Sequence, residues 1–351
     1  MKKFLLIIIG FLLVITNSNA ESFSIAISKA FKNNSELNAE RENIIISEQE
    51  LKISQGNYLP TVTLSGSKSQ EDTNKLTNQS GGDTTINDVD PFTKSISITQ
   101  TLIDFGRGAE LSKSKIGLDL AKAKLLNKEQ DILFKTTEAY TGLVLANEKL
   151  KINRDNVELL SRQVETDQIR VERGQITLSD VSQSESSLAE AQAKLIQAEN
   201  ELLTSKLNYE NIIGSLADAR SLDKKSIKEY PLPDNLNSAI ELSKKNNPDL
   251  IIAKLEYEQA KKDKTIAKSD LAPTANLSLE RSYTDDFSAT YDEREKDTLK
   301  ATITWPFYSG GKNLASLNKS SSLETRSRFL LDSVIKQNQT NVASAWSSFQ
   351  S

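Results

Sequence analysis

The chain has 351 residues, of which only 13 are Gly and 7 are Pro, so turns are scarce and the regular elements must be long. Aromatic residues make up 6% and charged residues 26%, a composition that suits thin hydrophobic seams better than the thick core of a large compact enzyme. His and Cys do not occur, which excludes Ser-His-Asp and Cys-His catalysis, thiol redox chemistry and Cys/His metal sites. The formal net charge of -4 argues against nucleic acid as a partner.

The N-terminal residues 1–20 have the pattern of a secretory signal peptide. Lys2 and Lys3 precede an apolar run from Phe4 to Ile15, and small residues lead up to Ala20. This pattern predicts cleavage after Ala20 and export of the remaining chain. A membrane anchor is the alternative, but the apolar run is shorter than the about 20 residues that a spanning helix needs.

The rest of the chain contains two copies of one sequence pattern. At an offset of 213 positions, Lys32–Leu37 matches Lys245–Leu250, and Leu59–Thr61 matches Ala272–Thr274. At an offset of 205, Thr101–Arg107 matches Pro306–Lys312. Internal repeats indicate repeated structural units. We therefore predict a first repeat over residues 21–230 and a second over residues 231–351.

Each copy is predicted to run helix, strand, polar loop, strand, helix. The first helices are predicted over 22–57 and 239–271, ending before a Pro. Alternation of apolar and polar residues predicts strands at about 61–68 and 93–103 in the first copy and about 274–280 and 298–305 in the second. The polar segments 69–92 and 281–298 are predicted to be solvated loops. The acidic residues of the second loop lack the spacing of a calcium site, so no metal site is predicted.

A very long helix is predicted from Arg107 to Arg173, followed by a turn at Gly174 and a second helix from about 177 to 213. At about 1.5 Å per residue the first spans roughly 100 Å. Its large apolar residues recur every seven positions, with a four-residue stutter: Leu111, Leu118, Leu125, Ile132, Leu143, Leu150, Val157, Val164 and Val171. In the second helix a large residue such as Val181 is followed three positions later by a small one such as Ser184. This large–small pairing favours helices that pack side by side.

Four strands are too few to cross a bilayer on their own. An open sheet leaves unpaired backbone groups at its edges, and closed membrane barrels begin at about eight strands. If the strands span a membrane, two, three or more chains must therefore contribute. Tyr58, Trp305, Phe307 and Tyr308 lie near the strand–helix junctions, where an aromatic belt would meet lipid headgroups. Alternatively, they are core aromatics of a soluble α+β domain.

Taken together, these motifs resemble the TolC family of outer-membrane efflux proteins. They are the signal peptide, the two repeats, Leu-Pro-Thr at 59–61, exit strands closing in LIDFGR at 102–107 and FYSGGK at 307–312, and RGQITLSDV at 173–181. The resemblance implies a mainly α fold with a small β part. Long antiparallel coiled-coil helices would form a periplasmic α-barrel, and four strands per chain would contribute to a trimeric 12-stranded transmembrane β-barrel.

The resemblance also implies a function and a set of partners. The chain would be a channel in the cell outer membrane with a periplasmic extension, the passive exit duct of a tripartite efflux pump or a type I secretion system. Its partners would be two further copies in a homotrimer, a periplasmic adaptor, an inner-membrane ABC or proton-driven pump, and outer-membrane lipid. We expect no enzyme activity, catalytic residue, cofactor or metal. The alternative function is a non-channel periplasmic or surface coiled-coil structural protein.

The helical hairpin near Gly174 is the candidate docking and gating site. The resemblance assigns adaptor docking and gating to Arg173, Gly174, Thr177, Ser179 and Asp180, and matches Ser179 and Asp180 to family positions that link neighbouring coils. A local role is equally compatible with the residues, because Ser179 or Thr177 could cap the returning helix and Asp180 suits its first turn. A matching hairpin in the second repeat would fall near position 379, so the resemblance predicts a chain that is C-terminally incomplete.

Overall fold

In the computed structural model, the described residues are 22–72, 89–216, 222, 232–288 and 291–350. The predicted signal peptide over residues 1–20 lies outside them. The described part is mainly helical with one sheet, in the order α1 (Phe23–Asn33), α2 (Ser35–Gly56), β1 (Thr61–Lys68), β2 (Phe92–Ile103), α3 (Arg107–Glu172), α4 (Leu178–Ile212), α5 (Leu236–Asn246), α6 (Pro248–Ser269), β3 (Thr274–Ser288), β4 (Tyr291–Thr304) and α7 (Lys312–Gln350). The chain divides into two compact units, residues 1–39 with 128–231 and residues 40–127 with 232–351.

The predicted helix over 22–57 is in fact two helices, α1 and α2, separated by Asn34. Asn34 has extended backbone angles (φ -66, ψ 120). Its side-chain oxygen accepts a hydrogen bond from the backbone N–H of Leu37 at 3.0 Å, which caps α2. Asn competes for backbone donors in this way and so interrupts helices, an effect that the continuous polar pattern did not reveal.

The second predicted helix, over 239–271, is divided in the same way. Asn247 ends α5 with φ -68 and ψ 119, and its side chain accepts from the N–H of Asp249 at 2.8 Å. Pro248 occupies the first turn of α6, where the missing N–H has no partner to lose. The two helix pairs have the same lengths, 11 and 22 residues, and their bounds differ by the offset of 213 found in the sequence.

The four strands form one antiparallel sheet in the order β1-β2-β3-β4. Thr61 pairs with Thr99 and Lys68 with Phe92, so the whole of β1 lies against residues 92–99 of β2. β2 and β3 join the two repeats, with Phe92 opposite Asp285. Strands β1 and β4 are the edges.

The predicted loop over 281–298 is wrong, because most of it is strand. Pairing between β3 and β4 continues from Thr274 opposite Thr304 as far as Ser288 opposite Tyr291. The extension carries charged side chains on both faces, so it lacks the apolar–polar alternation by which strands are recognised. Opposite charges hold it across the strands instead: Arg281 lies 3.3 Å from Glu295 and 3.8 Å from Asp297.

In the first unit, α3 and α4 pack along the predicted seam. Of its residues on α3, Ile132, Leu143, Leu150 and Val164 are buried. On α4, the small residues Ala191 and Ala198 are buried more completely than the neighbouring Leu188 and Leu195. The predicted large–small pairing therefore brings the helix backbones close together through its small members.

In the second unit, α6 packs on α7 through another small-residue row. Ala253, Ala260 and Ala267 recur at intervals of seven and are buried. Lys264 Nζ lies 2.8 Å from a carboxylate oxygen of Glu324, across the two helices. Asn338 of α7 is 5% exposed, and its side-chain oxygen accepts from Ser243 and Asn247 at 2.7 and 2.6 Å, which ties α7 to the α5–α6 corner.

Neither a membrane-spanning helix nor an acidic metal-binding cluster occurs among the described residues. In that part of the chain, no helix combines the length and the apolar character needed to cross a membrane. The same residues contain no cluster of three or more acidic side chains that could hold a metal ion.

Two glycines of the hairpin give a paired stability prediction. Gly142 lies inside α3 and Gly174 in the turn at φ +69, and a Cβ added at either would meet nothing within 4 Å. Only the backbone conformation distinguishes them, so Gly142→Ala should raise the free energy of unfolding by up to about 1 kcal/mol. Gly174→Ala should lower it by about 1 kcal/mol, because L residues disfavour positive φ.

Urea unfolding followed by helical circular dichroism measures both variants against the parent chain. The two glycines control for each other, since the same methyl group is added at both positions. Changes of the same sign would contradict the assigned turn conformation.

Candidate functional site

The exit from β2 into α3 is held by the side chains of the LIDFGR motif. Asp104 Oδ1 accepts hydrogen bonds from the N–H groups of Gly106 and Arg107 at 2.8 and 3.3 Å, which caps α3. Arg107 is 8% exposed and donates to the carbonyl oxygen of Thr101 at 2.9 Å. Its guanidinium lies 4.9 Å from the ring centroid of Tyr58. The motif therefore fixes the angle at which strand becomes helix.

Glycine is needed in the two exit motifs for different reasons. A Cβ on Gly106 would collide with the hydroxyl of Ser269 and lie 3.3 Å from Asp104 Oδ1, so Gly allows α6 to approach closely there without displacing the serine side chain. In the second copy, Gly310 and Gly311 have φ values of +63 and +78. Their left-handed conformation turns the chain into α7.

The four predicted interface aromatics are all exposed. Tyr58 is 43% exposed, Trp305 60%, and Phe307 and Tyr308 are each 84% exposed. The Trp305 indole N–H donates to the carbonyl oxygen of Leu271 at 3.1 Å, and the ring meets Phe307 edge to face at 5.8 Å. These exposures argue against the alternative that they form the core of a soluble domain. Phe105, at 63% exposure, joins this set and was missed by sequence reasoning.

Near the strand–helix junctions the sheet has one apolar face and one polar face, whereas farther from the junctions the apolar-side face carries charged residues such as Arg281 and Asp297. One row crosses every strand on the apolar face: Val62, Ile98, Leu279 and Leu299, each between 39% and 71% exposed. On the other face, the row one residue along is Thr61, Thr99, Ser278 and Lys300. Strands with this alternation are built to separate an apolar medium from water.

The hairpin turn between α3 and α4 closes by a Schellman motif. The N–H of Gly174 donates to the carbonyl of Val171 at 2.8 Å, and the N–H of Gln175 donates to that of Arg170 at 2.9 Å. Gly174 occupies the left-handed position that this motif requires. Arg173, the residue before it, is exposed.

Thr177 and Asp180 cap the returning helix reciprocally. The Asp180 N–H donates to Thr177 Oγ1 at 3.3 Å, while Asp180 Oδ2 accepts from the Thr177 N–H and hydroxyl, each at 2.8 Å. These hydrogen bonds hold the pKa of Asp180 below its ordinary value of 3.8. Thr177, not Ser179, is therefore the cap, and Ser179 is exposed. The carboxylate of Asp180 is already engaged within its own chain.

A buried polar pair lies in the seam close to this turn. Ser184 donates to Asp167 Oδ2 at 2.6 Å, and both residues are under 10% exposed. Arg170 lies 3.5 Å from the other carboxylate oxygen of Asp167. Sequence reasoning missed Asp167, although its position three residues after the seam residue Val164 was the available signal. A paired charge in an apolar seam fixes the register of two helices.

The hairpin turn also exposes one large apolar side chain. Leu178, the first residue of α4, is 73% exposed, next to the exposed polar residues Thr177 and Ser179. It lies one helical turn before the buried seam residue Val181. It was not among the predicted site residues.

A sheet with one apolar and one polar face, together with long antiparallel helices, defines the class of membrane channels that combine strands with a helical extension. The family model described as outer membrane efflux protein matches residues 26–215. The chain belongs to that family. The predicted family, the mainly α fold with its small β part, and the outer-membrane efflux role are thereby confirmed at the level of the family.

Individual relatives agree with this placement. The outer membrane efflux protein BepC of Brucella suis is 24% identical, over 94% of this chain and 70% of that protein. The alkaline protease secretion protein AprF of Pseudomonas aeruginosa is 21% identical over 73% of this chain, which spans only 54% of AprF. The crystal structure of the outer membrane protein VceC of Vibrio cholerae superposes with a TM-score of 0.78 at 17% identity, covering 94% of this chain and 79% of that one.

The Thr177–Asp180 cap gives a pH-dependent prediction. Because folding lowers the pKa of Asp180, its ionised form stabilises the folded chain at neutral pH, and that contribution is lost as pH falls below about 3.8 towards the folded pKa. Asp180→Asn should therefore reduce stability at pH 7, and its difference from the parent should shrink as pH is lowered through this range. Glu185→Gln, which alters an exposed acid further along α4, is the control. Urea midpoints that differ by the same amount at every pH would contradict this role of the carboxylate.

Proposed function

We propose that this chain is the outer-membrane exit duct of a tripartite efflux pump or type I secretion system. The observation that carries the proposal is the two-faced sheet, with its row Val62, Ile98, Leu279 and Leu299 exposed on one side and Ser and Thr on the other. An apolar surface of this kind is stable against lipid and unstable against water. Membership of the outer membrane efflux protein family supports the same function.

The exposed aromatics support a membrane position for the sheet. Trp305 and Phe307 lie just past the end of β4, and Tyr58 lies just before β1. Trp and Tyr gather where lipid hydrocarbon meets headgroups. These residues, with Tyr308, would therefore mark one membrane interface. The alternative, a non-channel coiled-coil structural protein, would leave both the apolar face and these rings in water.

The open edges of the sheet support closure with further copies of the chain, which we propose to be two, making a homotrimer. β1 runs antiparallel to β4 within the meander, so the β4 edge of one copy can pair antiparallel with the β1 edge of the next. Closure in this way satisfies the edge N–H and C=O groups that hydrocarbon cannot. β4 carries Glu293, Glu295 and Asp297 on its apolar-side face, whereas β1 ends in Lys68 and has no acid, so the two edges are also electrostatically compatible. Three copies give a ring of 12 strands.

The exposed hairpin turn is proposed as the adaptor contact. Leu178 offers an apolar side chain, beside Arg173 and the hydroxyl of Ser179, on a turn made rigid by the Thr177–Asp180 cap. A periplasmic adaptor with an apolar coiled-coil end would fit this surface, and an inner-membrane ABC or proton-driven pump would supply the energy. A Leu178→Asp variant should assemble normally but lose transport, and unchanged transport would remove Leu178 from the proposal.

Membrane fractionation tests the duct with two substitutions at adjacent positions. Leu299 lies on the apolar face and Thr298 on the polar face of β4. The full chain should be recovered in the outer-membrane fraction, and Leu299→Asp should abolish that recovery, because a carboxylate facing lipid destabilises the barrel once in every copy. Thr298→Asp should be retained. Recovery of the parent chain in the soluble periplasmic fraction, or equal behaviour of the two variants, would refute the duct.

Disulfide cross-linking tests the homotrimer. The chain contains no Cys, so any disulfide must come from introduced residues. A Cys at Ser65 of β1 should form a disulfide between copies with one member of a Cys series on the same face of β4: Arg294, Lys296, Thr298 and Lys300. Complete oxidation should give a species of three linked chains. The single Ser65→Cys variant is the control. Dimers as the end point, or linkage at none of the four positions, would contradict the trimer.

A further inference from the structure

The polar face of the sheet carries an unbalanced cationic column. Over the region where all four strands run together, this face consists of Ser and Thr except for Glu280, Arg294, Lys296 and Lys300. The three cations lie on one strand, β4, at every second or fourth residue. Arg294 and Lys296 are therefore about 7 Å apart along the strand, and Lys296 and Lys300 about 13 Å.

Among the described residues, no ion pair neutralises the charges of this face. The ion pairs that the structure shows between described residues of the sheet are those of Arg281 with Glu295 and Asp297, and they lie on the opposite face. Glu280 stands opposite Thr298, between the two lysines. Lys296 and Lys300 are exposed. The polar face therefore carries one anionic and three cationic side chains over the four-stranded region. Asp292, which alternation places on the same side, lies beyond the four-stranded region.

The net charges of the two faces of the sheet have opposite signs. On the apolar-side face, Lys68, Lys94 and Arg281 are accompanied by the acids Asp285, Glu293, Glu295 and Asp297. The acids of the sheet are thus concentrated on the apolar-side face, and the cations of β4 on the polar face. Because successive residues of a strand alternate between faces, β4 from Glu293 to Lys300 separates its own charges in this way.

We infer that Lys296 and Lys300, with Arg294, make the strand-lined part of the duct selective for anions and for anionic solutes. The inference rests on the proposed function, since it requires this face to line a water-filled lumen. In a closed ring each copy contributes the same column, so a passing ion meets repeated levels of positive charge. A passage lined by charges of one sign raises the local concentration of counter-ions, here anions. Arg294 is less available to a passing anion than the two lysines, because its guanidinium lies 4.6 Å from the ring centroid of Phe287.

Planar-bilayer recording with the full chain in a KCl gradient tests the inference. The double variant Lys296→Gln/Lys300→Gln should lower the chloride-to-potassium permeability ratio by roughly two- to fivefold, the effect of removing nearby charges in a high-dielectric pore. The matched control is Lys68→Gln, on the other face of the sheet, which should leave the ratio unchanged. An unchanged ratio in the double variant, or an equal change in the control, would overturn the inference while leaving the duct intact. Absence of any channel would instead overturn the proposed function, and the inference with it.

The rates at which charged thiol reagents modify an introduced Cys separate the effect of local charge from that of pore size. Ser282 faces Lys296 across the strands on the polar face, so a Cys at Ser282 reports the local field. We expect an anionic sulfonate thiol reagent to react with it faster than a cationic ammonium reagent of similar size. Lys296→Gln should lower the ratio of the two rates. A ratio that does not change would show that the lysine does not govern access, whatever the conductance.

Discussion

The backbone groups along β1 and β4 impose the constraint on which the rest of the structure depends. The sheet is open, and an edge strand has N–H and C=O groups that must find partners if the strand lies in hydrocarbon. A chain that places its apolar face against lipid cannot satisfy these groups alone. The requirement for further copies therefore follows from hydrogen bonding, and the alternation of the strands determines which face of the resulting ring meets water.

The strand–helix junctions transmit this constraint to the helices. Asp104 caps α3 at its first residues, and Arg107 ties that same turn back to the carbonyl of Thr101 in β2. A helix joined to a strand through two side chains and a close Gly106–Ser269 contact has little freedom to change its angle. The long helices therefore leave the sheet in a direction set by the exit motif. Their own packing then needs only narrow seams of small residues.

Polar residues inside those seams give the packing its register. Alanine rows such as Ala253, Ala260 and Ala267 allow close approach but would tolerate a shift of one heptad. The buried Asp167–Ser184 hydrogen bond and the Asn338 contacts with Ser243 and Asn247 would be broken by such a shift. Leaving a buried carboxylate or amide without a partner is costly, so these pairs select one alignment. In the same way, the β4 backbone sets the spacing of its charged column, and the side chains of that column supply the proposed anion selectivity.

The sequence by itself determined the repeat, most of the element types, the long helices and the hairpin at Gly174, because each depends on local periodicity or on residues such as Gly whose backbone preference is intrinsic. It also supplied the cap at Thr177 as one of two local candidates. The breaks at Asn34 and Asn247 were locally encoded and were overlooked. Only the tertiary structure decided that residues 281–298 are mostly strand, since their pairing depends on partners across the sheet and not on alternation along the chain. The same holds for Asp167, whose serine lies on another helix, and for Gly106, whose crowding neighbour lies more than a hundred residues away.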